Sequence, residues 1–296
     1  MSSIHQLEAE SIHIIREAKS RLDRLVLLFS GGKDSIVLLH LALKAFYPCP
    51  LPFPILHVDT GHNFKETIEF RDKIVSKYSL ELIIASVEED IQKGHIKDDT
   101  SIGGTRNHLQ SFTLTNAIQQ LKCDGCFGGA RRDEDKARAK ERIFSYRNSF
   151  SEWDPRNQNP EFLDIYNTFK QPEDHFRIFP LSNWTEMDIW LYIKSENIDL
   201  PSLYFSHKRD VFERDGILYS DTPLIQKKPT EIVTQKEVRF RTIGDATCTG
   251  AIESKASTID DIIDELPQLK YSERGQRGDD KRSKNAMENR KKDGYF

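Results

Sequence analysis

Cysteine is scarce in this sequence: Cys49, Cys123, Cys126 and Cys248 are the only four among 296 residues. So few thiols, with no secretion signal, exclude a disulfide framework and favour a reducing cytoplasm. Long apolar runs are missing too. The longest, such as 25–29 and 36–39, fall far short of the roughly 20 residues that cross a bilayer. No basic stretch followed by an apolar one heads the chain, so no signal peptide and no membrane association are expected. The nine histidines form no H-x-x-x-H cluster. Cys123-Asp-Gly-Cys126 has C-x-x-C spacing but neither a second pair nor a nearby histidine. Two buried thiols are therefore expected there, and no tightly bound protein metal. Positive charge is not in excess either: a formal net charge of -4 argues against a general nucleic-acid binder. The charge is uneven, since residues 270–296 carry nine Lys/Arg against five Asp/Glu. There are no internal repeats.

What is present is an alternation of strand and helix patterns. Leu7, Ile12, Ile14, Ile15 and Ala18 form a helical stripe over 6–21, and the apolar run 24–30 reads as a buried strand. A helix follows over Lys33–Phe46, stopped by Pro48, Pro50, Pro52 and Pro54. The same reading gives strands at 54–59 and 81–86 around a helix over 65–78, then a polar loop at 88–105. A helix over 107–121, a short strand near Cys126-Phe127, a strand at 175–179 and a helix over 189–196 complete it, the last announced by Thr185-Glu-Met-Asp188. Such alternation predicts an α/β fold, a parallel twisted sheet with helices on both faces. The pattern fades beyond Pro201. From about Gln268 the chain is charged and poor in aliphatics, a polar C-terminal extension.

Ser30-Gly31-Gly32-Lys33-Asp34-Ser35 joins the first predicted strand to its helix. Two glycines let backbone amides turn toward an anion, and the helix adds its unpaired N–H groups and positive end. Lys33 supplies a full charge; Ser30 and Ser35 supply hydroxyls. Open α/β sheets bind ligands at this end of a strand. The loop is not a Walker A motif, because Asp34 follows Lys33 and the spacing differs, and no G-x-G-x-x-G dinucleotide pattern is present. The alternative is a plain strand-to-helix turn.

The loop resembles the pyrophosphate-binding loop of the ATP pyrophosphatases, which cleave ATP between its α- and β-phosphates. Leu56-His-Val-Asp-Thr-Gly61, Phe127-Gly-Gly-Ala-Arg-Arg-Asp-Glu134, Arg138-Ala-Lys-Glu-Arg142, Phe179-Pro-Leu-Ser-Asn-Trp-Thr-Glu186, Val238-Arg-Phe-Arg-Thr242 and Gly294-Tyr-Phe296 extend the likeness along the chain. Together they resemble the family of small catalytic subunits of bacterial heterodimeric sulfate adenylyltransferase. The resemblance implies an adenine nucleotide alpha hydrolase-like fold, ATP with Mg2+ and sulfate as substrates, adenylyl sulfate and pyrophosphate as products, and a GTPase large subunit as partner. It divides the chain into a nucleotide-binding unit, 1–215, and an extension, 216–296, that completes the site and contacts the partner. The chain departs from the family pattern at Gly31, where a bulkier apolar residue is usual, and over Ile243-Gly-Asp-Ala-Thr-Cys248.

Sulfate is fully ionised at neutral pH, so this chemistry needs no general base. It needs groups that bring two anions together, and the arginine fork suits oxoanions. Lys33, Arg131 and Arg132 are the expected catalytic residues. Ser30, Gly31, Gly32, Lys33, Asp34, Ser35, Asp59, Gly61, Gly128, Gly129, Arg239 and Arg241 are the expected nucleotide and anion ligands, Arg239 and Arg241 sharing one face of an extended segment. A solvated charge run is the alternative for Arg131 and Arg132, and a strand-ending turn for Asp59-Thr60-Gly61. Rival functions are an adenylyl-sulfate or phosphoadenylyl-sulfate reductase, a tRNA sulfur-inserting enzyme, and a non-catalytic nucleotide-binding subunit. The first needs a cysteine near the C-terminus, and none follows Cys248.

Overall fold

A computed structural model describes residues 3–269 and Glu273, apart from residues 100, 102, 103, 155, 157, 159, 162 and 164. The first half alternates as the sequence pattern predicts: α1 (Ser3–Arg21), β1 (Leu25–Leu28), α2 (Lys33–Phe46), β2 (Ile55–Asp59), α3 (Lys65–Tyr78) and β3 (Leu82–Ser86). Then follow α4 (Val87–Gln92), α5 (Gln110–Gln120), β4 (Gly125–Phe127), α6 (Lys136–Ala139), β5 (Phe144–Arg147), β6 (His175–Ile178) and α7 (Glu186–Glu196). The last elements are β7 (His207–Arg214), β8 (Ile217–Ser220), β9 (Thr234–Arg239), β10 (Ile252–Glu253) and α8 (Ile259–Glu265).

Six strands form the main sheet in the order β3-β2-β1-β4-β6-β5. Five run parallel; β5, at the edge, is antiparallel to β6, a departure from the uniformly parallel sheet expected. Alternation along β1 divides the core. Leu25, Leu27 and Phe29 pack with α1, α2 and α7, whereas Val26 and Leu28 join Leu56, Leu114, Ile118, Cys123 and Cys126 on the α5 side. Both thiols of the C-x-x-C pair thus lie in an apolar layer.

The loop expected at 88–105 contains α4. Ser86 accepts the Glu89 N–H, and Glu88, Glu89 and Asp90 load the first turn with negative charge, which favours a helix start. The helix expected from residue 107 begins with a 3-10 turn at Arg106–His108 before α5. Beyond Pro201 lies a second, antiparallel sheet in the order β10-β9-β7-β8. The division at 215/216 passes through the Asp215-Gly216 turn of the β7–β8 hairpin, where both residues have positive φ. The polar tail and Gly294-Tyr-Phe296 fall outside the described residues, Glu273 excepted. Among the described residues no helix is long and apolar enough to cross a membrane.

The edge of the main sheet contains a buried ion pair: Arg147 donates to Glu141 at 2.6 Å, with both side chains buried. Glu141→Ala is expected to lower stability by about 3–5 kcal/mol in urea unfolding, because it strands a buried guanidinium. Thr185→Ala, which opens the capping box of α7, should cost about 1 kcal/mol in the same assay.

Candidate active site

β1 pairs with β2 on one side and β4 on the other, so the strand order reverses at β1 and a crevice opens beyond its carboxyl end. The loop Ser30–Ser35 lies there. Gly31 has φ +75°, and a Cβ on it would meet the Thr67 methyl at 2.7 Å. The bulkier side chain whose absence was noted at this position does not fit here against α3. Gly32 is the N-cap of α2 and brings no capping side chain, unlike Ser86, Thr185 and Thr258 ahead of α4, α7 and α8. The Lys33 N–H donates instead to the Tyr204 hydroxyl, at 2.6 Å. Ser35 donates to the Gly32 carbonyl at 2.8 Å, and the Gly32 N–H reaches Ser30 Oγ at 3.3 Å.

β4 ends hard against this helix start. A Cβ on Gly129 would lie 3.0 Å from the Asp34 carbonyl carbon and 3.1 Å from the Ser35 nitrogen. Glycine allows that approach without displacing its neighbours, and two residues on, the chain reaches Arg131, beside Lys33. Both side chains are buried, at 0% and 1% exposure. Asp34 bridges them, accepting from Arg131 Nε at 2.7 Å and from Lys33 Nζ at 3.3 Å. Glu273 bridges them a second time, one oxygen accepting from Lys33 Nζ and the other from Arg131 Nη2. Burial pulls the Lys33 pKa down, but the Asp34 and Glu273 carboxylates outweigh it and hold the amine charged. Burial likewise opposes the charge on Arg131, and Asp34, Glu273 and Glu134 restore it. Burial pushes Glu273 up, yet Lys33 and Arg131 drive it down to about 2. Glu134 goes the other way, raised by burial against the pull of Arg138 and Arg131.

The cavity over the loop has two contrasting walls. Leu28, Leu56, Val58 and Leu114 make an apolar slot, with the side-chain amides of Asn107 and Gln110 beside it. Lys33, Asp34, Glu134, Arg138 and Glu273 make a charged end, and Tyr204 and Thr242–Gly244 close it from the later part of the chain. A slot with amide donors and acceptors suits a planar heterocycle, and the cationic end suits phosphates. Asn107, Gln110, Leu114, Glu134, Arg138, Tyr204 and Glu273 are members that the sequence reading did not assign. Arg138 and Glu134 lay within quoted motifs; the others carried no local signal.

The structure brings Ser30, Gly32, Lys33, Asp34, Ser35, Gly129 and Arg131 together, with Gly31 behind the loop. Arg132 is half-exposed and held by Asn183. Gly128 belongs to the sheet, its N–H donating to the Ile178 carbonyl at 2.8 Å. Asp59 accepts from the Gly61 N–H at 2.8 Å and from Asn63 at 3.2 Å, so its carboxylate shapes a turn. That turn docks residues 245–246, through an Asn63–Asp245 bridge and an Ala246 N–H to His62 carbonyl bond. Arg239 ends β9, is fully buried and pairs with Glu265 of α8; Arg241, past the strand, pairs with Glu186. Neither arginine lines the cavity.

A sequence model of the phosphoadenosine phosphosulfate reductase domain matches residues 24–251. The sulfate adenylyltransferase subunit 2 of Mycobacterium sp. (strain KMS) is 54% identical, over 100% of this chain and 95% of its own length. That of Mycolicibacterium gilvum (strain PYR-GCK) is 52% identical over the same shares. Among solved structures, the Candida glabrata FMN adenylyltransferase is similar in fold, with a TM-score of 0.50 at 16% identity, covering 93% of this chain and 88% of that one.

Gly31→Ala tests the loop geometry. It forces a left-handed residue to carry a Cβ against Thr67, and should cost about 1–2 kcal/mol in thermal unfolding. Adding Thr67→Ser, which removes the opposing methyl, should recover part of that loss; no recovery would mean that the contact is not the cause.

Proposed function

Since the chain belongs to the sulfate adenylyltransferase subunit 2 family, within the wider group sharing the phosphoadenosine phosphosulfate reductase domain, we propose that its loop Ser30–Ser35 is the leaving-group site of ATP adenylylation by sulfate. The chain is an enzyme of adenylyl sulfate synthesis. The observation that carries the assignment of residues is the pair of buried cations, Lys33 and Arg131, set side by side at the start of α2, with Lys33 lining the same cavity as the apolar slot.

The adenine enters the slot between Leu28, Leu56, Val58 and Leu114, and its edge meets Asn107 and Gln110. The β- and γ-phosphates lie over the loop, on Lys33 and the amide end of α2. Magnesium would arrive on the triphosphate as part of the substrate, and Asp34, the loop's own carboxylate, would be the group to hold it there. A sulfate oxygen forms a bond to the α-phosphorus as the bond to the pyrophosphate oxygen breaks. No proton moves, so no side chain serves as a base. The protein's task is to align the two anions and to take up charge on the departing pyrophosphate. Arg131 spans the reacting phosphates, and Arg132 at the rim is the group for incoming sulfate. Residues from 216 onward close the site, which Thr242–Gly244 and Glu273 support, and meet the GTPase partner in the cytoplasm. A reductase has less support, because no cysteine follows Cys248 and that thiol is buried.

Pyrophosphate release from ATP should require sulfate and rise further with the GTPase subunit and GTP. Release without sulfate, or triggered by tRNA in its place, defeats the assignment. Lys33→Ala should lower the sulfate-dependent rate about 10²–10³-fold, the range for a lost group that stabilises developing charge.

A further inference from the structure

Lys33 and Arg131 are both engaged by a residue far away in sequence. Glu273 lies 240 residues beyond Lys33 and 142 beyond Arg131, yet its carboxylate bridges the two side chains with one oxygen each. Its side chain is 7% exposed and lines the same cavity as the loop. Two oxygens on one carbon, shared between an ammonium and a guanidinium, reproduce what a phosphate edge offers these groups. Three other loop donors are satisfied internally as well: the Lys33 amide by Tyr204, the Gly32 amide by Ser30 and the Ser35 hydroxyl by the Gly32 carbonyl.

Charge counting gives the same picture. Lys33 and Arg138 at the charged end of the cavity, with the buried Arg131 beside Lys33, are paired with Asp34, Asp133, Glu134 and Glu273. Three cations face four carboxyl groups, so no positive charge is left in excess with Glu273 in place. A polyphosphate cannot join it there without setting like charges in contact inside a buried space. Asp34 belongs to the loop and Glu134 to the turn after Arg131. Glu273 is the carboxylate that reaches the cations from outside both segments.

We propose that Glu273 is a built-in competitor of the nucleotide: its carboxylate occupies the leaving-group subsite and withdraws when phosphates arrive. ATP binding and detachment of Glu273 from the loop are then linked, and each opposes the other to the same degree. Whatever keeps Glu273 on Lys33 weakens nucleotide binding, and whatever draws it away strengthens it. The proposal rests on the assignment of the loop as the pyrophosphate site.

The test is direct binding of inorganic pyrophosphate to the full chain by calorimetry, for the wild type, Glu273→Gln, Glu273→Asp and Lys33→Ala. Glu273→Gln should bind roughly tenfold or more tightly than the wild type, since the competent state no longer has to be freed of its own carboxylate. Glu273→Asp, one methylene shorter, should lie between them. Thermal unfolding separates competition from a merely structural ion pair. Without ligand Glu273→Gln should melt below the wild type, and with saturating pyrophosphate the two should converge. Equal or weaker pyrophosphate binding by Glu273→Gln, or an undiminished gap in melting temperature with ligand, overturns the proposal. Lys33→Ala reports on the underlying assignment: if it binds pyrophosphate as the wild type does, the loop is not the leaving-group site. If it loses binding while Glu273→Gln gains none, the competition alone fails.

Discussion

Two full positive charges lie buried side by side at Lys33 and Arg131, and much of the surrounding chain is arranged around that fact. A charge taken out of water must find a partner or be neutralised. Here the partners are carboxylates from several segments: Asp34 from the loop itself, Glu134 from the turn after β4, and Glu273 from beyond α8. The close approach at Gly129 is what makes the problem acute, since it presses the end of β4 onto the start of α2. Without it the two cations would lie further apart, each more easily hydrated.

The order of the sheet explains why this edge holds the site. β1 departs toward β2 on one flank and toward β4 on the other, so the connections diverge above it and leave a crevice. One side of the crevice inherits the apolar alternation of β1 and β2, through Leu28, Leu56 and Val58. The other inherits the charged turn after β4. The second sheet completes the enclosure. Tyr204, just ahead of β7, takes the first amide of α2, and Thr242–Gly244, just after β9, lie over the loop.

Much of this was legible before any coordinates. Lys33–Phe46 and Lys65–Tyr78 have the helical bounds that the sequence predicts; four prolines after the first are a strong local stop, whereas the second ends in a left-handed Ser79 that only the structure shows. The antiparallel sheet was not legible, since β7 and β9 are rich in charged residues and each buries only two adjacent residues, which leaves no alternation to read. Its one sharp local signal was Asp215-Gly216, a dipeptide suited to a tight hairpin. Arg239 and Arg241 illustrate the limit of periodicity. Two residues apart would share a face within a strand, but β9 ends at Arg239, and the two side chains go to Glu265 and Glu186. Asp59 kept its place at the end of β2, while its hydrogen bonds turned out to be local. Glu273 could not be found by any local rule, because nothing in its neighbourhood marks it as a partner of residues 240 and 142 positions earlier.

That separation has a temporal side. A ribosome adding roughly 5–20 residues per second takes about 10–50 s to go from Lys33 to Glu273. For that interval the growing chain has made its loop, and later Arg131, without the last of the carboxylates that balance them. Until Glu273 is added, the loop has only the carboxylates of its own neighbourhood, Asp34 first among them, and the order of synthesis is the order in which its charges are balanced.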